Sequence, residues 1–458
     1  MVIILGAGLA GLSAAHHLDE VDRLVLDREN EVGGLCRSIR EDGFTFDYTG
    51  HLLHIRDQEI RQWVLELMPD AWNHLHRSAW IHSHDVLTPY PFQANTADLP
   101  TDVRLECLLG FVQTLVDKND RKSPIPEAKP LRADLPHLSI CPAPSPDEPN
   151  FKDWVMGTFG AGFAKHFFTP YNTKLWRRDL AEVTGDWVSW AIPRPDLSDV
   201  LQGALRRSEK TYGYNPDFLY PKEGGIDHLP RSIANSLPEE VIQLETRVTS
   251  LQAEKGQVTI EGPRGERTEE APVVLSSLPL QHLAQITSDL PPELANAAED
   301  LSCVSIRAIN LGIRGEALHP DVQWVYVPAP EVPFHRIGIP SALAPAMAPP
   351  GHHTLVAEIS YQPQDDPGAE AHLDQTISAL IRMGFVTSAE DIAYQKVVDI
   401  PHAYVVFDRR RREVLPDLMA WYLDRQVIPM GRYGTWDYLG MQDCLLHGRE
   451  VAQWIKNS

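Results

Sequence analysis

The stretch VIILGAGLAGLSAAHHLDEVDRLVLDRENEVGG, residues 2–34, decides the fold. Val2 to Leu5 is wholly apolar, too short for a helix and suited to a buried parallel strand. Gly6, Gly8 and Gly11 follow directly, with Ala10 among them and a helix over Leu12 to Leu18 behind. A second apolar strand, Arg23 to Leu26, ends on Asp27 with Arg28 beside it. Gly6 permits the tight turn, Gly8 lets a pyrophosphate approach the backbone, and Gly11 lets helix and strand pack closely. The helix N-terminus offers unpaired N–H groups and the positive end of its dipole. Asp27, about 20 residues on, can accept from both ribose hydroxyls. A lone GxGxxG is a weak signal; with strand, helix and acid in place it predicts a dinucleotide site.

Val32-Gly33-Gly34, followed by Cys36, Arg37 and Ser38, resembles the second glycine motif of flavoproteins related to glutathione reductase and amine oxidase. The resemblance implies an extended pyrophosphate cradle with Arg37 available to the phosphates, and FAD rather than NAD. No residue marks a covalent flavin link, so the FAD is expected to be non-covalent.

At 458 residues the chain has room for two or three domains. With 41 Lys plus Arg against 63 Asp plus Glu, the net charge of −22 argues against nucleic acid or an anionic membrane as partner. Cys36, Cys107, Cys141, Cys303 and Cys444 are scattered without a CxxC, as in a reducing compartment. A first strand at Val2 leaves no room for a signal peptide, and no apolar run approaches the roughly 20 residues of a membrane span. A cytoplasmic protein is expected.

Along the chain, the fold class is α/β. A Rossmann-like, glutathione-reductase-type FAD domain is assembled from 1–57, 212–280 and 401–458. A mostly helical substrate domain is inserted over 58–211, and a mixed, largely antiparallel sheet occupies 281–400. Asp57 is placed to cap a helix with Ile60, Trp63, Val64 and Leu67 on one stripe. A helix over Thr101 to Val116 carries Leu105, Leu108, Leu109, Val112 and Leu115. The prolines of 123–149 forbid regular structure and predict an extended surface excursion. Trp154, Val155, Phe159, Phe163 and Phe167 keep helical spacing and read as core. The C-terminus reads as a turn and a helix with Leu445, Leu446, Val451 and Ile455 inward.

His74, His76, His82 and His84 cluster, but no carboxylate or Cys stands at ligand spacing, so no metal is expected. The basic run Arg409 to Arg412 reads as a solvated face rather than a phosphate clamp.

Five further stretches resemble UDP-galactopyranose mutases of the eukaryotic type, in family order along nearly the whole chain. They are Gly50-His51, Pro89-Tyr90-Pro91-Phe92-Gln93-Ala94-Asn95, Pro170-Tyr171-Asn172-Thr173-Lys174-Leu175-Trp176, Gly312-Ile313-Arg314-Gly315 and Gly431-Arg432-Tyr433-Gly434-Thr435-Trp436. The first glycine motif and Gly440 to Asp443 belong equally to the wider amine-oxidase and protoporphyrinogen-oxidase group. The resemblance implies a nucleotide-sugar substrate and a non-redox use of flavin. NADPH reduces FAD, flavin N5 attacks the anomeric carbon, the nucleoside diphosphate leaves, and the sugar recloses from pyranose to furanose. It further implies His51 on a redox-responsive loop beside the flavin, with Gly50. Tyr90 and Gln93 fall in the uridine pocket, which Asn172 approaches, and Tyr171 and Trp176 are further substrate-binding residues. Arg314, Tyr404 and Tyr438 fall on the pyrophosphate, Arg432 and Asn215 near the sugar. Val248, Gly440, Gln442 and Asp443 fall on the flavin, with Asp443 holding the ribityl chain. Arg314, His51 and Arg432 are the expected catalytic groups. The alternative is a FAD-dependent oxidoreductase of the amine-oxidase or protoporphyrinogen-oxidase type, abstracting hydride.

Two positions depart from the family pattern. Its second pyrophosphate Arg falls on Ala191, with Arg194 nearby, and its sugar-contacting Asn becomes Met441. A charge-assisted contact is worth about 1.5–3 kcal/mol. The sugar, the nucleotide and the diphosphate itself therefore stay open, and a less polar sugar such as a 6-deoxy sugar is expected beside Met441.

Overall fold

The computed structural model describes residues 1–117, 126–143, 145, 148–208, 210, 212 and 216–457. The strand Val2–Leu5 is buried along its whole length and stands at the centre of a five-stranded sheet. Arg23–Leu26 and Val273–Ser276 flank it in parallel; Ile242–Gln243 and Val427–Pro429 close the edges, also in parallel. An all-parallel sheet covered on both faces explains why these strands are continuous apolar runs. The helix Leu9–His17 begins three residues earlier than expected and packs against the C-terminal helix Met441–Asn457. The approach is close because Gly448 has no side chain: a Cβ there would meet the Ala10 carbonyl oxygen at 2.4 Å.

The second sheet has seven strands, in the order Ile392–Val405, Cys303–Arg314, His352–Tyr361, Arg336–Gly338, Trp324–Tyr326, Ala79–Ser83, Val86–Pro89. All neighbours are antiparallel except Trp324–Tyr326 beside Ala79–Ser83. This sheet takes strands from residues 79–89 as well as 303–405, so it crosses the expected 58–211 and 281–400 division. The α/β class with a FAD-type parallel sheet, inserted helices and a mixed sheet is as expected.

Asp57 caps Gln58–Leu67 as its sequence position predicts, accepting from the Ile60 N–H at 2.8 Å. The helical layer holds Thr101–Val116, Phe151–Phe163, Thr169–Trp176, Val188–Ala191 and Leu197–Leu205. Between Phe163 and Thr169 the chain makes one wide π turn, Ala164–Phe168.

Two expectations fail here, and one helix shows a face that its sequence left open. Within the Pro-rich stretch, Leu135, Leu138 and Ile140 are buried and join the main core. Lys129–Pro130 and Ser139–Ile140 also pair as a short antiparallel ladder, since a proline is tolerated on an edge strand, so the prolines exclude neither burial nor all regular structure; residues 123–125, 144, 146 and 147 lie outside the described residues. Arg411 and Arg412 are not a solvated face: Arg412 is fully buried and ion-paired with Glu148 and Asp186, and Arg411 reaches Asp186 and Asp437. On Thr101–Val116 the buried residues are Val103, Cys107 and Phe111, while Leu105, Leu109 and Val112 face outward.

Candidate functional site

Gly6 and Gly8 follow the central strand into the mouth of a cavity of about 1350 Å³. A pocket for one small ligand holds roughly 300–1,000 Å³, so this volume suits a dinucleotide together with a substrate. Gly6 takes the turn at φ 101°. Gly8, the helix N-cap, contributes no side chain; a Cβ there would find only Gly34 Cα at 4.0 Å and would occupy the cavity instead. Gly33 bridges to Gly8, bringing the second glycine motif against the first. Ala10, Gly34, Arg28 and Arg37 also line this end. Asp27 lines it too, tying the second strand to the turn by accepting from Ala7 N at 2.7 Å and Glu29 N at 3.0 Å. Gly11 does not line the cavity. A Cβ on it would lie 2.0 Å from the Gly6 carbonyl oxygen, so its part is the helix–strand contact. Arg37 reaches the wall already ion-paired to Glu29 at 3.0 Å.

The cavity continues along Gly50, His51, Val248, Gly440, Gln442 and Asp443. Gln442 accepts from Asp57 N at 2.9 Å, and Asp443 from Gly440 N at 2.8 Å, so both fix the entrance to the last helix. His51 donates from Nδ1 to the Thr49 carbonyl at 3.0 Å. Burial holds its imidazole down to about 4, so at neutral pH it is uncharged, with Nε2 bare.

Tyr90, Gln93, Tyr171, Asn172, Trp176, Tyr404 and Tyr438 line the far chamber. Gln93 and Asn172 are buried and donate to the Pro193 and Phe168 carbonyls, at 2.6 and 2.8 Å. The π turn swings Phe167 and Phe168 onto the same wall, as such turns do at functional sites. Lys174 anchors this helix to the sheet by donating to the Val327 and Phe334 carbonyls at 2.9 and 2.8 Å.

Arg432 lies among Tyr404, Tyr433 and Tyr438, its guanidinium 4.3 Å from the Tyr438 ring centre. It donates to the Leu439 and Ala403 carbonyls at 2.9 and 3.1 Å. The rings of Tyr404 and Tyr438 stack with centres 5.7 Å apart and planes 6° apart.

Arg314 is the correction. It ends the long strand Cys303–Arg314, opposite His352, exposed and donating to the Glu390 carbonyl at 2.6 Å. The cavity touches this strand at Ile306, eight residues away or roughly 26 Å along an extended chain. The guanidinium in the chamber belongs instead to Arg336, held by Glu358 at 2.6 and 2.7 Å. Burial pulls the Arg336 pKa down, but the Glu358 carboxylate outweighs it and keeps the group firmly charged. Glu358 also accepts from Gly50 N at 3.4 Å, tying the His51 loop to the arginine. Neither residue carries a sequence motif; only the pairing of Arg336 with Glu358 across adjacent strands brings them together. Asn215 lies outside the described residues. Ala191 and Met441 both stand on the cavity wall, whereas Arg194 is exposed and does not. Among the described residues no group of three His, Cys, Asp or Glu side chains could hold a metal.

The profile of the family described as flavin-containing amine oxidoreductases matches residues 9–455. The chain belongs to that family. FAD is thus the dinucleotide for which this flavoprotein's two glycine motifs form a cradle. Its fold is similar over its full length to a crystal structure of reduced UDP-galactopyranose mutase, at TM-score 0.89, 24% identity and 93% of that chain. It is similar, also over its full length, to a putative protoporphyrinogen oxidase from Exiguobacterium sp. 255-15, at TM-score 0.71, 16% identity and 98% of that chain. A putrescine oxidase gives TM-score 0.66 at 17% identity, covering 100% of this chain and 99% of that one. The inactive all-trans-retinol 13,14-reductase of Danio rerio is 35% identical over 79 residues, 16% of this flavoprotein and only 13% of that relative. Among the described residues no helix is long and apolar enough to cross a membrane.

Proposed function

We propose that the protein is a flavin-dependent pyranose/furanose mutase acting on a nucleotide sugar. The observation that carries this reading is the continuity of the FAD cradle with a chamber that holds Arg336, the stacked Tyr404 and Tyr438, and the buried Gln93 and Asn172. Full-length likeness to reduced UDP-galactopyranose mutase supports it, stronger than the likeness to the oxidases. Reduced FAD, when bound, supplies the nucleophile for the anomeric carbon, and NADPH is the proposed reductant. The chain's own residues serve the leaving group and the sugar. Glu358 grips Arg336 through Nη2 alone, which leaves Nη1 and Nε for a phosphate oxygen. A diphosphate gains negative charge as its bond to carbon breaks, so a fixed guanidinium and the phenol donors of Tyr404 and Tyr438 lower that barrier. Arg336 therefore takes the part expected of Arg314. Arg432, spent on two carbonyls and three rings, adds a fixed positive field near the sugar rather than a mobile donor. Tyr90, Gln93, Tyr171, Asn172 and Trp176 form the base end. Neutral His51 can accept a hydrogen bond at Nε2.

The second reading is a hydride-abstracting oxidoreductase. The family supports it, and so does Ala191, which leaves the chamber one guanidinium short for a diphosphate. Anaerobic incubation of dithionite-reduced protein with a panel of nucleotide sugars tests the two. Isomeric product without net consumption of reductant is expected. No isomer from any sugar, together with reduction of the oxidised flavoprotein by an amine or porphyrinogen in a parallel anaerobic incubation, would overturn the mutase reading.

A further inference from the structure

The large apolar side chains exposed on this protein are not scattered. Among the described residues, all of them except Met1 and Leu318 lie on three helices of the helical layer. Thr101–Val116 contributes Leu105, Leu109, Val112 and Val116; Leu197–Leu205 contributes Leu197, Leu201 and Leu205; Phe151–Phe163 adds Met156. Leu109 is 62% exposed, Val116 73% and Leu205 84%. The first and second of these helices adjoin, since Arg104 donates to the Ala204 carbonyl at 3.2 Å. Single exposed apolar residues are ordinary, but a contiguous set marks an interaction surface.

The exposure is not a sign of a loosely placed helix. The opposite face of Thr101–Val116 is docked on Phe151–Phe163 with backbone against backbone: a Cβ on Gly162 would lie 2.2 Å from the Glu106 carbonyl oxygen, and one on Gly160 2.1 Å from that of Gly110. Among the described residues the helix is fixed on one face and unpartnered on the other.

We infer that this face is the homodimer interface, covered by the same face of a second copy of this chain. Three observations select that occupant. First, Leu105, Leu109, Val112 and Val116 are spaced by four, three and four residues, the seam that takes another helix by knobs-into-holes packing. Second, a two-fold axis makes such a seam meet itself, so one apolar stripe suffices for both partners. A standard interface takes about 800 Å² from each side, and the seven large side chains of the two adjoining helices, exposing from 40% to 84% of their surface, supply apolar area of that order. Third, the charges around the seam disfavour the chief rival, an anionic membrane surface. The seam carries no Lys, Arg or Trp; Asp102 and Glu106 lie on its own helix and Asp117 caps it, Arg207 and Lys210 after the neighbouring helix are paired with Asp98 and Asp199, Arg206 stays exposed, and the chain carries −22 overall. Arg104 is turned to its own chain's carbonyls, and Lys165 to Glu106 at 2.6 Å.

The inference is independent of the proposed activity. Its test is the solution mass of FAD-loaded protein by light scattering and sedimentation equilibrium. A species of twice 51.4 kDa is expected. Leu109→Lys should give the monomer with unchanged flavin content and near-ultraviolet circular dichroism, because Leu109 supports nothing within its own chain. Leu109→Glu should do the same, and an equimolar mixture of the two variants should recover the dimer, which only a seam facing itself explains. A wild-type monomer at every concentration up to the solubility limit overturns the inference. So does a dimer that both substitutions leave intact, or a monomer that floats with phosphatidylcholine vesicles.

Discussion

Arg314 and Arg336 show at the scale of one residue what a sequence leaves out. Both are arginines on strands of the same sheet, and only Arg314 stands in a recognisable motif. Arg336 reaches the chamber through a register that pairs it with Glu358, 22 residues on, and no local pattern encodes such a pairing. The cradle was legible because its geometry is local: glycines, helix and acid lie within one βαβ unit. The opposed arginines give a sharp prediction. If the proposed mutase activity holds, Arg336→Ala should lower kcat/KM of the reduced protein for a nucleotide sugar by about 10- to 150-fold, the worth of one charge-assisted contact. Arg314→Ala should stay within about twofold, as surface substitutions do. Steady-state kinetics on both variants decide it, and the reverse outcome would return the phosphate to the far end of the strand. Ala191→Arg should tighten UDP binding if the diphosphate lies along this wall; unchanged affinity by calorimetry would favour a substrate without one.

Among the elements, the helix Leu9–His17 separates glycines that serve a ligand from those that serve the fold. Gly8→Ala adds a methyl facing open cavity, so apoprotein stability should move by less than about 1 kcal/mol while FAD retention on gel filtration is lost. Gly11→Ala drives a methyl into the Gly6 carbonyl, and the overpacking should cost about 2 kcal/mol or more in denaturant unfolding. Equal behaviour of the two variants would show that the cradle is misassigned. The sequence identified these elements by periodicity, yet periodicity does not say which stripe faces inward. On Thr101–Val116 the leucine-rich stripe turned out and Val103, Cys107 and Phe111 turned in, because Gly160 and Gly162 of the neighbouring helix permit close approach only on that side. In the basic run Arg409 to Arg412 the first two side chains are exposed as expected, and the burial of Arg412 is illegible for a related reason. Its partners Glu148 and Asp186 lie more than 200 residues away, so nothing nearby announced a buried ion-pair network. Removing Arg412 would strip Glu148 of its guanidinium and leave Asp186 with only the longer ion pair to Arg411 at 3.7 Å, and Arg412→Ala should destabilise the protein by about 3–5 kcal/mol.

Across the whole molecule, the Pro-rich segment, the parallel-sheet domain and the C-terminal helix are joined at a pair of histidines, which makes their union pH-dependent. The His137 side chain is fully buried, its ring 4.8 Å from that of His447 and 3.9 Å from the Glu450 carboxylate. His447 accepts from Gly431 N at 3.3 Å, at the turn that leads into Arg432. Burial holds His137 down to about 4 and His447 well below its usual 6.5. Both folded values lie below the unfolded one, so the stability these groups carry is fully present above pH 6.5 and is lost as pH falls through the folded values. His51 has the same sign, with its value near 4. Asp47 opposes them: burial raises its carboxyl to about 6, so its contribution is present below 3.8 and lost as pH rises through about 6. His335 has the sign of the imidazoles and the buried carboxyls of Glu450 and Asp408 that of Asp47, so at this junction Glu450 offsets part of the loss that His137 and His447 give on acidification. His137 and His51, each with a folded value of about 4, should each give up about 2 kcal/mol between pH 7 and 5. Urea unfolding of the FAD-loaded protein at those two pH values measures the total, and His137→Leu should reduce the difference by one histidine's share while leaving the flavin spectrum unchanged. An identical pH slope in that variant would mean that the junction opens before the histidines take up protons.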